Sequence, residues 1–167
     1  MPAGAGPADA VVAMTEELLL TRYVRSWNLH DHRGCAECFT GDAVRAFQVE
    51  WPCADPADPS HELSGREAID RDITGLMTAL PDVSVEVVSA GYGSDRRLWT
   101  EWRVRGTHSA DWGRWRADGR RIEVVGVSVF RLSNEGFTEE RLYWDSASVR
   151  GRRQGLPGLH PPAASAG

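Results

Sequence analysis

A carboxylate held in an apolar site can take a proton and later return it, because burial raises its pKa toward neutrality. Asp145 stands where such a group would matter: it follows Tyr143 and Trp144 in a strand-like run, where a charge is unexpected. Ser128 sits among Val127, Val129 and Phe130, and a buried hydroxyl there must find a partner. If Ser133–Gly136 is a hairpin loop, strict alternation puts Ser128 and Phe130 on the side of Tyr143 and Asp145. His108 shares parity with Thr100, Trp102 and Val104, so it points inward and can donate to a substrate oxygen.

The seven Trp residues are placed informatively. Trp27 and Trp102 fit core or pocket lining. Trp112 and Trp115 fall in a loop over Ser109–Gly119, beside Arg114 and Arg116. That group suits a lid over a large, flat, anionic or phenolic ring, through stacking and cation–π contacts. Filling a subunit interface is the alternative.

Other spacings carry less. Cys35-x-x-Cys38 lacks a second ligand pair, and Cys53 is alone in a Pro-rich loop, so no metal site is expected. In Asp70-Arg71-Asp72, helical neighbours do not face one another, which predicts a solvated face. His30 and His32 flank Asp31 in a turn and read as helix-end polar groups. There is no phosphate-binding loop or nucleophile elbow.

The hydrophobic period locates the helices and strands that carry these groups. Leu20, Val24 and Trp27 form one helical stripe after Thr15, a candidate N-cap followed by Glu16 and Glu17. A short helix is predicted over Arg33–Phe39, stopping at Gly41, and a strand over Ala43–Trp51. Pro52, Pro56 and Pro59 then enforce a loop. Ser64 and Glu67 form a capping box ahead of Ile69, Ile73, Leu76 and Leu80, and Pro81 ends that helix. From Val83 the period becomes two, giving four strands joined by turns at Gly93–Asp95, Asp118-Gly119 and Ser133–Gly136. This order predicts an α+β fold with helices on one face of a curved antiparallel sheet.

Length and charge bound the rest. At 167 residues and 41% hydrophobic, the chain makes one domain with its own core. Residues 1–14 read as a loose arm, 15–156 as the domain, and 157–167 as a tail. A net charge of −5 argues against nucleic acid as a partner. All 19 basic residues are Arg, as in a GC-rich genome. Leu18-Leu19-Leu20 is far short of a membrane span, the first basic residue is Arg22, and there are three Cys. Those features predict a cytoplasmic protein with no membrane partner. An apolar strip of Trp99, Val125, Val127 and Val129 on the outer sheet face predicts a homodimer or larger assembly.

A set of motifs then adds a family. These are Tyr23-x-x-x-Trp27-Asn28-x-His30-Asp31, Gly65-Arg66-Glu67-Ala68-Ile69 and Leu80-Pro81-Asp82. Gly106-Thr107-His108, Gly119–Val124, Val127–Arg131, Tyr143-Trp144-Asp145 and Gln154-Gly155-Leu156 follow in order. In that order they resemble the SnoaL-like polyketide cyclases of the NTF2-like superfamily, over roughly residues 18–156. The resemblance implies a cone: a strongly bent sheet wrapped around about three helices, with a deep apolar pocket. It implies a cyclase or isomerase that closes a ring by an intramolecular aldol step on a polyketide-like carbonyl compound in bacterial secondary metabolism, without cofactor or metal. Asp145 would be the acid/base, with His108, Ser128 and Tyr23 placing oxygens. Asn28 and Tyr23 would lie near the pocket roof, with Trp27, Trp102, Trp112, Trp115, Phe130 and Tyr143 around the ligand. The alternatives are a non-catalytic ligand-binding or accessory protein, and an epoxide hydrolase-like member that opens or closes ether rings. Relatives often have a His-Pro element where this chain has Trp51-Pro52, and Asp where it has Ser128. The second difference favours one-carboxylate chemistry or none.

Overall fold

The computed structural model describes residues 7–49 and 61–145, with side chains from Glu17 onward. The elements run α1 (Pro7–Asn28), α2 (His32–Ala36), β1 (Phe39–Phe47), β2 (Glu62–Ser64), α3 (Arg66–Ala79), β3 (Ser84–Tyr92), β4 (Leu98–Thr107), β5 (Arg121–Ser133) and β6 (Gly136–Trp144). One six-stranded sheet has the order β2-β1-β6-β5-β4-β3. Every neighbouring pair is antiparallel except β1 and β6, which run parallel, so the expected antiparallel sheet is mixed at that seam. Register shifts in β1–β6, β3–β4 and β5–β6 mark the bulges that bend it.

Several boundaries differ from the sequence expectation. The first helix starts at Pro7, so Thr15 is interior to it and residues 7–14 are helical. Pro tolerates the first turn of a helix, and the Ala-rich run behind it continues one. The second helix ends at Ala36, and β1 begins at Phe39, because Phe39 pairs with Phe137 of β6. The capping box does not form: Ser64 pairs with Val44 as the end of β2, and Gly65 caps α3 without a side-chain bond. Gly65 adopts φ 86°, a conformation that suits glycine. Residues 1–6 of the arm expected over 1–14, Cys53 in its Pro loop, Gln154–Leu156 and the tail over 157–167 lie outside the described residues.

Side-chain clips fix the helices to the sheet. Asn28 donates to the Val85 carbonyl and accepts from the Val85 amide, both at 2.8 Å, tying α1 to β3. Arg66 donates to the Phe39 carbonyl from Nε (2.9 Å) and an Nη (2.6 Å), tying α3 to β1. His32 Nδ1 lies 2.7 Å from Asp70 Oδ1, joining α2 to α3. Beneath them, Tyr23 meets Trp27, Phe39, Phe130 and Phe137 edge-on, and Phe130 stacks on Phe137 at 4.4 Å. Cys35 and Cys38 are fully buried in this core, and burial pushes the Cys38 thiol up to about 11.

Candidate functional site

The concave face of the sheet and the inner faces of α1 and α3 enclose a pocket of about 790 Å³, its mouth included. Its walls are apolar: Leu20 and Val24 from α1, Leu76 from α3, Val85 from β3, Val104 from β4 and Val124 from β5. Polar atoms gather at one end, on Tyr23, Arg45, Thr100, Trp102, Ser128 and Glu140.

Glu140 is the centre of that end and is 2% exposed. Ser128 Oγ donates to its Oε1 at 2.8 Å, and Trp102 Nε1 donates to Ser128 Oγ at 2.9 Å. Arg45 Nε lies 3.0 Å from Glu140 Oε2, and Tyr23 Oη donates to that same oxygen at 3.4 Å. On its far side Arg45 donates from Nη1 to Asp72 Oδ2 at 3.0 Å. One guanidinium thus bridges two buried carboxylates. Burial pulls the Arg45 pKa down, but Glu140, Tyr23 and Asp72 together hold it above its ordinary value, so it stays charged. Burial and the nearby Glu140 both push the Tyr23 phenol well above its ordinary value, so it stays a neutral donor.

Glu140 is not the carboxylate the sequence favoured. Asp145 is exposed, just past the end of β6, and is not part of the pocket wall. Tyr143 is 40% exposed and also faces outward. The cause is a bulge. Leu132 pairs with Phe137, but Arg131 pairs with Glu139, so Thr138 is an extra residue in β6. A one-residue offset exchanges the faces of everything beyond it. Inward positions therefore become Glu140, Leu142 and Trp144, and Ser128 pairs with Leu142. Thr138 Oγ1 marks the spot with a 3.2 Å bond to the Arg131 carbonyl.

The other candidates divide. Tyr23, Trp27, Trp102, Trp112, Ser128 and Phe130 all line the pocket. Asn28 does not; its amide is spent on the α1–β3 clip because it lies past the last inward turn of the helix. His108 is buried yet lies off the pocket, at the base of the Trp loop, where its backbone pairs with Arg120 and Gly119. Its Nδ1 is 3.8 Å from Asp118 Oδ1, and its Nε2 has no hydrogen-bond partner among the described residues.

In the loop, Trp112 and Trp115 exchange two 2.9 Å backbone bonds across a tight turn in which Gly113 has φ 55°. Both rings turn inward: Trp112 lines the pocket and lies over Gly75 of α3, while Trp115 packs 5.6 Å from Trp144 behind the wall. The same turn leaves Arg114 and Arg116 exposed, and Arg116 pairs with Asp111, so neither supports an anionic ligand in the pocket.

Asp72 corrects a further expectation. Within Asp70-Arg71-Asp72, Asp70 faces α2 and Arg71 faces solvent, but Asp72 is buried beneath β1. Neither Arg45 nor Glu140 was singled out from sequence. A charge within Ala43–Phe47, among apolar neighbours, was the available signal for Arg45. In Glu139-Glu140-Arg141 the sequence reads as solvated, and only the bulge says otherwise.

The family model for the SnoaL-like domain matches residues 20–140. Among solved structures, AclR, a proposed hydroxylase from Streptomyces galilaeus, is 20% identical and covers 81% of this chain and 92% of its own, with a TM-score of 0.66. A phenazine biosynthesis-related protein from Pseudomonas aeruginosa is 13% identical, covers 99% and 96%, and has a TM-score of 0.68. SalBIII, an epoxide hydrolase/cyclase-like enzyme of pyran ring formation in the polyether salinomycin, is 22% identical, covers 81% and 95%, and has a TM-score of 0.62. At these identities the likeness is one of fold. No curated protein matches the chain.

Proposed function

The chain belongs to the SnoaL-like domain family, and from its pocket we propose an acid–base enzyme that cyclises or isomerises an uncharged, polyketide-like carbonyl compound, with Glu140 moving the proton. The observation that carries this is the carboxylate of Glu140 at the polar end of an otherwise apolar pocket, beside a phenol that stays protonated. In an aldol-type closure, Glu140 takes the proton alpha to one carbonyl. Tyr23 donates to the enolate oxygen as its charge develops. The enolate carbon then bonds to a second carbonyl carbon of the same molecule, and Glu140 returns its proton to the new alkoxide. Trp102, held by Ser128, offers an indole face against which a flat ring can stack. No cofactor or metal enters this scheme, and polyketide and antibiotic pathways are the setting that the family suggests.

The test is a panel of neutral poly-carbonyl ring precursors, followed by product chromatography. Glu140→Gln should lower turnover by roughly 10²–10⁴-fold, the usual range for a general acid/base. Asp145→Asn should stay within a few-fold of wild type. Full activity in Glu140→Gln would remove the assignment. A second reading, opening of an epoxide or closing of an ether ring, is favoured by the pairing of a carboxylate with a neutral phenol on one side of the pocket. There Glu140 would deprotonate water or a substrate hydroxyl while Tyr23 protonates the departing oxygen. Incorporation of ¹⁸O from labelled water separates hydrolytic opening from aldol closure. Tight binding without turnover of any member of the panel would point to the accessory-protein alternative.

A further inference from the structure

Asp72 does not reach the pocket, yet it is buried to 4% side-chain exposure and bonded to the guanidinium of Arg45, which also holds Glu140. We propose that Asp72 is a positioning residue, which by sharing Arg45 keeps Glu140 able to accept a proton. This rests on the reading of Glu140 as the acid/base. A lone Arg beside a buried carboxylate stabilises its charged form and makes it a poor base. A second carboxylate on the opposite side of the guanidinium offsets that field at Glu140. It also fixes the guanidinium by a different nitrogen: Nη1 serves Asp72 while Nε serves Glu140, each at 3.0 Å. The Arg45 guanidinium also lies 5.7 Å from the Phe47 ring centroid.

The groups around this centre come from five packed elements. Tyr23 faces it from α1, Cys35 from α2, Arg45 from β1, Asp72 from α3 and Ser128 from β5. Among the described residues, Arg45, Asp72 and Glu140 carry its charge, while Tyr23 and Cys35 are raised by burial and remain protonated. Removing the Asp72 charge therefore strengthens the field of Arg45 at Glu140.

The test compares wild type with Asp72→Asn, close in size but neutral, and Asp72→Glu, which keeps the charge. Glu140 is followed directly by carbon-13 NMR of protein labelled at the glutamate carboxyl, its signal assigned by loss in Glu140→Gln. Asp72→Asn should move its titration midpoint down by about one pH unit or more, a tenfold loss of proton affinity. Asp72→Glu should stay near wild type. With a turned-over substrate, the acidic limb of kcat should move in the same direction, with kcat lowered and KM little changed. An unmoved Glu140 midpoint in folded Asp72→Asn overturns the proposal, whatever the enzyme does. A moved midpoint without any turnover leaves the electrostatic role standing and removes the catalytic reading. If Asp72→Asn does not fold, Asp72→Ser decides by the same measurement. Failure of both to fold makes Asp72 a structural anchor and refutes the positioning role.

Discussion

Ser128 Oγ lies 2.8 Å from Glu140 Oε1, although strict alternation through the β5–β6 hairpin would put the two on opposite faces. Ser128 links two groups, taking the Trp102 N–H and giving its own hydrogen to Glu140. Ser128→Ala leaves the partly buried Trp102 N–H and part of a buried carboxylate without their partner. The expected cost is about 1–3 kcal/mol in urea unfolding. A change below about 0.5 kcal/mol would mean that water replaces both bonds.

Tyr23→Phe keeps the ring in its aromatic cluster and removes one hydroxyl. Stability should change by no more than about 1 kcal/mol. Turnover should fall by roughly 10²-fold, in line with loss of one oxyanion donor, with KM nearly constant. Unchanged turnover would take Tyr23 out of the mechanism.

Gly126 is the close approach that seats Trp102. A Cβ there would stand 2.4 Å from the indole Cη2 and Cζ2, and 2.7 Å from the Tyr143 carbonyl. Gly126→Ala should force the indole out of place, breaking its bond to Ser128 and narrowing or opening the pocket wall. A loss of about 1–3 kcal/mol is expected, with altered near-ultraviolet circular dichroism. A native spectrum and native stability would contradict this packing.

Stability should fall in alkali. The Cys38 thiol is raised by burial from 9.0 to about 11, and Tyr23 is raised above 10.0. In both cases the folded state keeps a proton that the unfolded chain releases. Stability is therefore intact below about pH 9 and declines as pH rises toward 11, more steeply once the phenol of the unfolded chain ionises. Urea midpoints from pH 7 to 11 give the slope, and Cys38→Ala should make it shallower. A flat profile to pH 11 would show that these groups reach solvent.

The outer sheet face leaves Trp99 at 47% exposure, Val125 at 44% and Tyr143 at 40%. Val129, expected in this strip, is only 3% exposed, so Tyr143 takes its place. The chain should sediment as a dimer or larger at micromolar concentration, and Trp99→Glu should shift it toward monomer. A clean wild-type monomer would remove this surface as an interface.

The class of fold and much of the pocket wall were legible in local sequence pattern. Those features rest on local periods: the helical stripe of Leu20, Val24 and Trp27, the alternation of Thr100, Trp102 and Val104, and the clustering of Val and Phe around Ser128. Each period is a property of a few adjacent residues, so it survives small errors at element ends. Which carboxylate faces the pocket depends on strand pairing that no local run of residues encodes. A single extra residue, Thr138, exchanges the two faces of β6, bringing Glu140 in and turning Asp145 out. Alternation carries no sign of such an offset, because both phases of β6 offer a carboxylate and an aromatic residue. Burial of Asp72 was likewise set by Arg45, which lies 27 positions earlier and meets it across the β1–α3 interface. Pairing at that separation costs chain entropy and is fixed by how α3 packs on the sheet, so no local pattern announces it.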